Sequence, residues 1–155
     1  MNYPHEDAEK EFVVRTLRLL EQYDSLELAE KERLEITLLV NALLGLVIVP
    51  KEKLLTYLPN ERIEEASKFG LFSHQIRGDK VKTVSDLMIA LRHSAAHFDV
   101  AFDGDENDKI QTVVFSDNER GIGEIARFAA AELPGIVRNV AAALVANYEK
   151  QKKES

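Results

Sequence analysis

The sequence predicts an all-α fold, a helical bundle with one small β-hairpin inserted after a helix that ends near residue 97. Three observations carry that expectation. Apolar residues recur at helical spacing over several long stretches. One of these, residues 34–47, is apolar all round, which suits a helix in the middle of a bundle. The period of the pattern then changes from helical to alternating at Phe98 and reverts to helical after Gly123.

In chain order, residues 6–23 form the first predicted helix, with Phe12, Val13, Thr16, Leu17, Leu19 and Leu20 near helical spacing. A charged stretch at 27–33 leads into the second, over 34–47, which Pro50 stops. Pro59-Asn60 reads as a turn, and a short helix over 61–69 follows, closed by Gly70. Residues 77–82 make a polar connector. Thr83 and Asp86 stand at capping-box spacing and start a helix that runs from Val84 to Ala96 or His97. Beyond it Phe98, Val100 and Phe102 alternate with Asp99, Ala101 and Asp103. Asp103-Gly104-Asp105 supplies a turn, and residues 110–115 form the partner strand. From Gly123 the chain is predicted helical again, broken at Pro134-Gly135, and it ends in an alanine-rich helix over 136–150.

The bulk properties bound the function. A chain of 155 residues suits one domain with its own core, and no repeat or linker divides it. The absence of cysteine excludes disulfides and thiolate metal sites and fits a reducing, cytoplasmic setting. The acidic start Met1-Asn2-Tyr3-Pro4-His5-Glu6-Asp7 lacks the apolar segment of a signal peptide. The longest apolar run, 38–50, is shorter than the roughly 20 residues a bilayer requires, so no membrane association is expected. A net charge of −7 argues against non-specific coating of DNA but leaves room for a small basic cleft. Arg77, Lys80, Lys82 and Arg92 are close enough in sequence to build one, although a solvated loop accounts for them as well.

The chemistry concentrates in Leu91-Arg92-His93-Ser94-Ala95-Ala96-His97-Phe98, where an apolar helix turns abruptly polar in its last two turns. Burying an arginine and two imidazoles there is costly unless they are paired or face water. They also suit half-exposed cations that complement a helix C-terminus.

This string is similar to the Rx4–6H motif of the HEPN superfamily (higher eukaryotes and prokaryotes nucleotide-binding domains), written here as Arg92-His93-Ser94-Ala95-Ala96-His97. The surrounding pattern resembles one bacterial, often plasmid-borne, HEPN family. That likeness rests on Thr37-Leu38-Leu39-Val40-Asn41-Ala42-Leu43-Leu44-Gly45-Leu46 before Pro50 and on the motif placed ahead of a hairpin. It runs from about residue 12 to 148.

The resemblance implies a metal-independent endoribonuclease that uses no cofactor and lets the RNA 2′-hydroxyl act as nucleophile. His97 is then the general acid/base, because imidazole titrates near neutrality. Arg92 stabilises charge building on the phosphate, and His93 orients substrate or its neighbour. Residues five apart on a helix differ by about 140° in direction, so Arg92 and His97 do not share a face of a regular helix; they converge if the Arg92 side chain bends round or the last turn unwinds before Phe98. HEPN domains pair, which implies a homodimer with a composite site and the motif helices near the twofold axis. A role as toxin or antiphage effector implies an antitoxin protein as a further partner.

Asn41 interrupts an apolar helix, and its amide is expected to be a buried anchor, or else to hold Arg92 or a phosphate. His93 and His97 are four apart, the spacing of a two-histidine metal pair. Only Asp99 and Asp103 offer further ligands, and no metal is expected. His5 and His74 read as surface residues, and Gly121-Ile122-Gly123 is too short for a phosphate loop. Two other readings remain open: a non-catalytic HEPN module that binds nucleotide, RNA or protein, and a structural helical dimer.

Overall fold

The computed structural model describes residues 8–29, 34–48, 56–107 and 109–155. His5, Pro50 and its helix stop, and most of the charged stretch at 27–33 lie outside them. Apart from short 3-10 turns, the described elements are four α-helices and a three-stranded sheet: α1 (Ala8–Asp24), α2 (Glu35–Ile48), α3 (Val84–Ala96), β1 (Val100–Gly104), β2 (Ile110–Asp117), β3 (Gly123–Ala129) and α4 (Leu133–Glu154). The expected mostly helical bundle with a small β insertion after the motif helix is the fold observed.

Each helix buries one stripe. Val13 and Leu20 do so on α1, and Leu133, Ile136, Val137, Val140, Ala141 and Leu144 recur at helical spacing on α4. On α2, Leu39, Val40, Ala42 and Leu43 are buried. That helix is not enclosed on every side, however, because Leu34, Thr37 and Asn41 form an exposed stripe. Thr37 and Asn41 are four residues apart, so the two polar side chains that interrupt the apolar run share one face. α2 packs against α1, α3 and α4, and α3 lies on β2.

α3 starts as its sequence dictates. Thr83 Oγ1 accepts from the Asp86 N–H (3.1 Å), while Asp86 Oδ2 accepts from the Thr83 and Lys82 N–H groups (3.0 Å each). Below it Val84, Leu87, Met88, Leu91 and Ser94 are buried.

The segment at 61–69 is two 3-10 turns, Ile63–Glu65 and Ser67–Phe69, rather than one α-helix. Gly70 closes them as expected, at φ 76°. The Ile63 N–H donates to the Lys82 carbonyl and the Val84 N–H to that of Glu61, so these turns are tied to the start of α3.

The largest departure lies at 123–129, expected as helix and found as β3. The sheet is an antiparallel meander in the order β1-β2-β3, with Val100 opposite Phe115, and Val113 opposite Phe128. Ala126 and Phe128 point inward while Arg127 and Ala129 face out, a period of two hidden within an alanine-rich stretch. β2 is the central strand, and β3 satisfies its second row of backbone groups. That pairing, with Phe115 edge-on to Phe128 at 6.0 Å, outweighs the helix propensity of the alanines. Pro134-Gly135 likewise does not break a helix. It lies in the first turn of α4, where proline costs no intrahelical hydrogen bond.

No helix among the described residues is long and apolar enough to cross a membrane.

Thr83→Ala removes the side-chain half of the cap on α3 and is expected to cost about 1 kcal/mol in urea denaturation. Thr83→Ser should retain most of that stability, and an equal loss in both variants would show that the cap contributes nothing.

Candidate active site

The motif helix ends in a Schellman arrangement. The Asp99 N–H donates to the Ser94 carbonyl (2.8 Å) and the Phe98 N–H to that of Ala95 (3.1 Å). Phe98 takes the left-handed position at φ 57°, where glycine is the usual occupant, and the residue is 97% exposed. For a bulky residue that conformation costs roughly 1–2 kcal/mol.

Buried Ser94 joins this end of α3 to β2. Its Oγ donates to the Asp99 carbonyl (2.8 Å) and accepts from the Ser116 N–H (3.2 Å), which also reaches the Asp99 carbonyl (2.9 Å). The Asp99 carboxylate accepts from Asn118 twice, from its backbone N–H (2.5 Å) and from Nδ2 (2.7 Å). The turn after β2 is thereby held beside the motif.

That turn brings Glu119 to His97, whose Nδ1 lies 2.7 Å from Glu119 Oε2. The His93 and His97 rings are 4.4 Å apart, tilted by 47°. Asp117 continues the inward face of Val113 and Phe115, so its side chain is wholly buried at the end of β2. Its Oδ1 accepts from the Arg120 N–H (3.1 Å) and its Oδ2 from Arg120 Nε–H (2.5 Å). Burial pushes the Asp117 carboxyl up, but the two hydrogen bonds from Arg120 and the charges of Arg120 and His93 outweigh it. The net effect holds the group below the ordinary carboxylate range. His93 Nε2 is 3.7 Å from Asp117 Oδ1 and 3.9 Å from Glu119 Oε2, beyond hydrogen-bond reach. That nitrogen is buried and has no hydrogen-bond partner among the described residues.

The sequence-predicted residues divide accordingly. His93 and His97 are together. Arg92 is half-buried and makes no hydrogen bond or ion pair with a described residue. Asn41 is exposed on α2, so the expected buried anchor is not seen. Asp99 and Asp103 are not available as further ligands, since Asp99 is committed to Asn118 and Asp103 lies 3.6 Å from Arg127. Glu119 is instead the third donor beside the two histidines. Sequence reasoning passed over Asp117, Glu119 and Arg120. Their one signal is a run of polar and charged residues, Asp117-Asn118-Glu119-Arg120, between a strand and Gly121.

Next to the cluster, a cavity of about 530 Å³ opens between α3 and the sheet, with His93 common to both. Arg77, Lys80 and Arg120 supply cations to its wall, while Ile89 and Ile122 give it an apolar side. Of the four cations that suggested a basic cleft, Arg77 and Lys80 line this cavity; Lys82 and Arg92 do not.

A carboxylate on one imidazole nitrogen fixes the ring and leaves the other nitrogen to exchange protons. With a free arginine on the same helix, the arrangement is suited to an anionic substrate that must gain and lose protons. No curated protein and no solved structure matches the chain. The family model described as HEPN pEK499 p136 matches residues 1–155, the whole sequence. Such a match shows the family: the chain belongs to the HEPN pEK499 p136 family of HEPN domains.

Proposed function

We propose that this protein is a metal-independent endoribonuclease of HEPN type. The observation that carries the reading is the 2.7 Å contact of Glu119 with His97 Nδ1 at the end of the Arg-x4-His motif. Glu119 accepts the Nδ1 proton and so holds His97 with Nε2 as the working nitrogen. In the reaction the 2′-oxygen bonds to phosphorus as the P–O5′ bond breaks. The 2′-hydroxyl proton passes to an imidazole, and the departing O5′ receives a proton, leaving a 2′,3′-cyclic phosphate and a 5′-hydroxyl. Arg92 offers a planar, permanent charge to the non-bridging oxygens. His93 packs on the His97 ring and borders the cavity, where it orients the RNA.

A homodimer completes this site. Arg92 and His97 diverge along one helix, and a twofold axis near α3 would set Arg92 against the partner subunit's His97. The exposed Phe98, held in a strained conformation beside His97, supports that contact. Exposed Asn41 is left to contact RNA or the second copy. The physiological setting we propose is a toxin or antiphage effector in the cytoplasm, restrained by an antitoxin protein. The cavity beside His93 favours one other reading, a non-catalytic HEPN module that binds nucleotide or RNA.

Total RNA incubated in chelator separates the two. Wild type is expected to generate 2′,3′-cyclic phosphate ends, and Arg92→Ala and His97→Ala should each lose about 100-fold or more in rate while keeping their circular dichroism. RNA binding without cleavage would establish the binding module, and equal residual cleavage in all three proteins would sink the nuclease. Growth arrest on expression, relieved by His97→Ala, tests the toxin role.

Phe98→Gly removes the backbone strain and an exposed ring. The isolated chain is expected to gain up to about 1 kcal/mol against urea, while self-association weakens in sedimentation analysis. Unchanged self-association would remove Phe98 from the proposed interface.

A further inference from the structure

We propose that His93, His97 and Glu119 form a binding site for a divalent transition-metal ion of the zinc type. His93 Nε2 is closed to solvent and has no hydrogen-bond partner among the described residues, a state that costs free energy in a native fold. One donor atom from each of His93, His97 and Glu119 lies within 4.8 Å of the other two, and Glu119 Oε2 is the oxygen nearest both His97 Nδ1 and His93 Nε2.

The spacing fits an ion. Zinc binds nitrogen and oxygen at about 2.0–2.2 Å, which places neighbouring donors of a tetrahedral site about 3.3 Å apart. The Glu119 oxygen is now 2.7 Å from His97 Nδ1 and 3.9 Å from His93 Nε2, so a small rotation of its carboxylate equalises the two. Both ends of the site are anchored. His93 is on α3, one turn before His97, and Glu119 follows Asn118, which Asp99 holds by two hydrogen bonds. Asp117 Oδ1 is 3.7 Å from His93 Nε2, but both Asp117 oxygens are engaged by Arg120, so it is not counted among the ligands. His97 and Glu119 are both exposed, which leaves an entry path and a fourth position for water.

Two imidazoles with one carboxylate select zinc, nickel or copper over magnesium and calcium, which prefer an all-oxygen shell. The consequence for RNA cleavage rests on the ribonuclease reading. An ion on Nδ1 takes His97 away from Glu119 and blocks its proton exchange, so the metal acts as an inhibitor whose removal restores the enzyme.

Calorimetry of the full chain with zinc alone is expected to give one ion per chain, and cobalt alone should give the visible absorption of a low-coordinate site. Affinity should fall about tenfold or more in His93→Gln and in Glu119→Gln, and stay unchanged in His74→Gln. In the wild type, where no variant has to fold, zinc should displace the imidazole NMR signals of His93 and His97 and leave that of His74 in place. Zinc should also raise the thermal midpoint. Binding that persists in both ligand variants, or no displacement of the His93 and His97 signals, overturns the site. RNA cleavage without metal binding would overturn the site and leave the ribonuclease standing. Binding in a protein that cuts no RNA would support the site and count against the ribonuclease.

Discussion

The hydrogen bonds of Ser94 and Asp99 join the end of the motif helix to the end of β2, and the candidate site exists only while they hold. Ser94 is buried in the one stretch of the helix that is otherwise polar, and it spends its hydroxyl on the Asp99 carbonyl and the Ser116 N–H. Asp99 then spends its carboxylate on Asn118. The residue after Asn118 is Glu119, so the clasp sets the distance between an imidazole on a helix and a carboxylate in a turn. Its polar groups are paired, as a partly buried network must be if it is to rigidify rather than weaken the fold.

The chain accepts local costs around that clasp. Phe98 occupies a left-handed position that glycine would fill without strain, and its ring is turned wholly to solvent. The Schellman hydrogen bonds and the Ser94 clasp together over-determine the backbone there, which allows the strain to persist. The Asp117 carboxylate is buried at the end of a strand, where desolvation pushes its pKa up, yet the hydrogen bonds and charge of Arg120 hold it below the ordinary carboxylate range. Strain, a buried charge and an unsatisfied imidazole nitrogen all lie in the Arg-x4-His motif or against it in space. Such features concentrate where a protein binds or reacts, because packing alone gives no reason to keep them.

Much of the architecture was legible in the sequence because its signals are local. The cap of α3 needs only Thr83 and Asp86, three residues apart, and both of its hydrogen bonds are present. The stripe on α4, the closing Gly70 and the change of period at Phe98 are likewise visible within a dozen residues. Asn41 shows the limit of that reading. A polar residue in an apolar run is a buried anchor or one part of an exposed stripe, and Thr37 on the same face decides for the stripe.

By itself, then, the sequence determined the four long helices, the cap of α3, the place of the β insertion and the motif at the helix end. Only the tertiary structure decided that residues 123–129 are a strand, because their partners are on β2 and the alanines there favour helix when alone. It alone brought Glu119 to His97, since the join between Ser94 and Ser116 closes a separation of 22 residues that no periodicity encodes. The spacing of His93 and His97 put two imidazoles on one face; the third donor came from a turn whose position depends on sheet pairing. Residue types and short-range spacing set what chemistry the motif offers, and long-range backbone pairing sets which groups it meets.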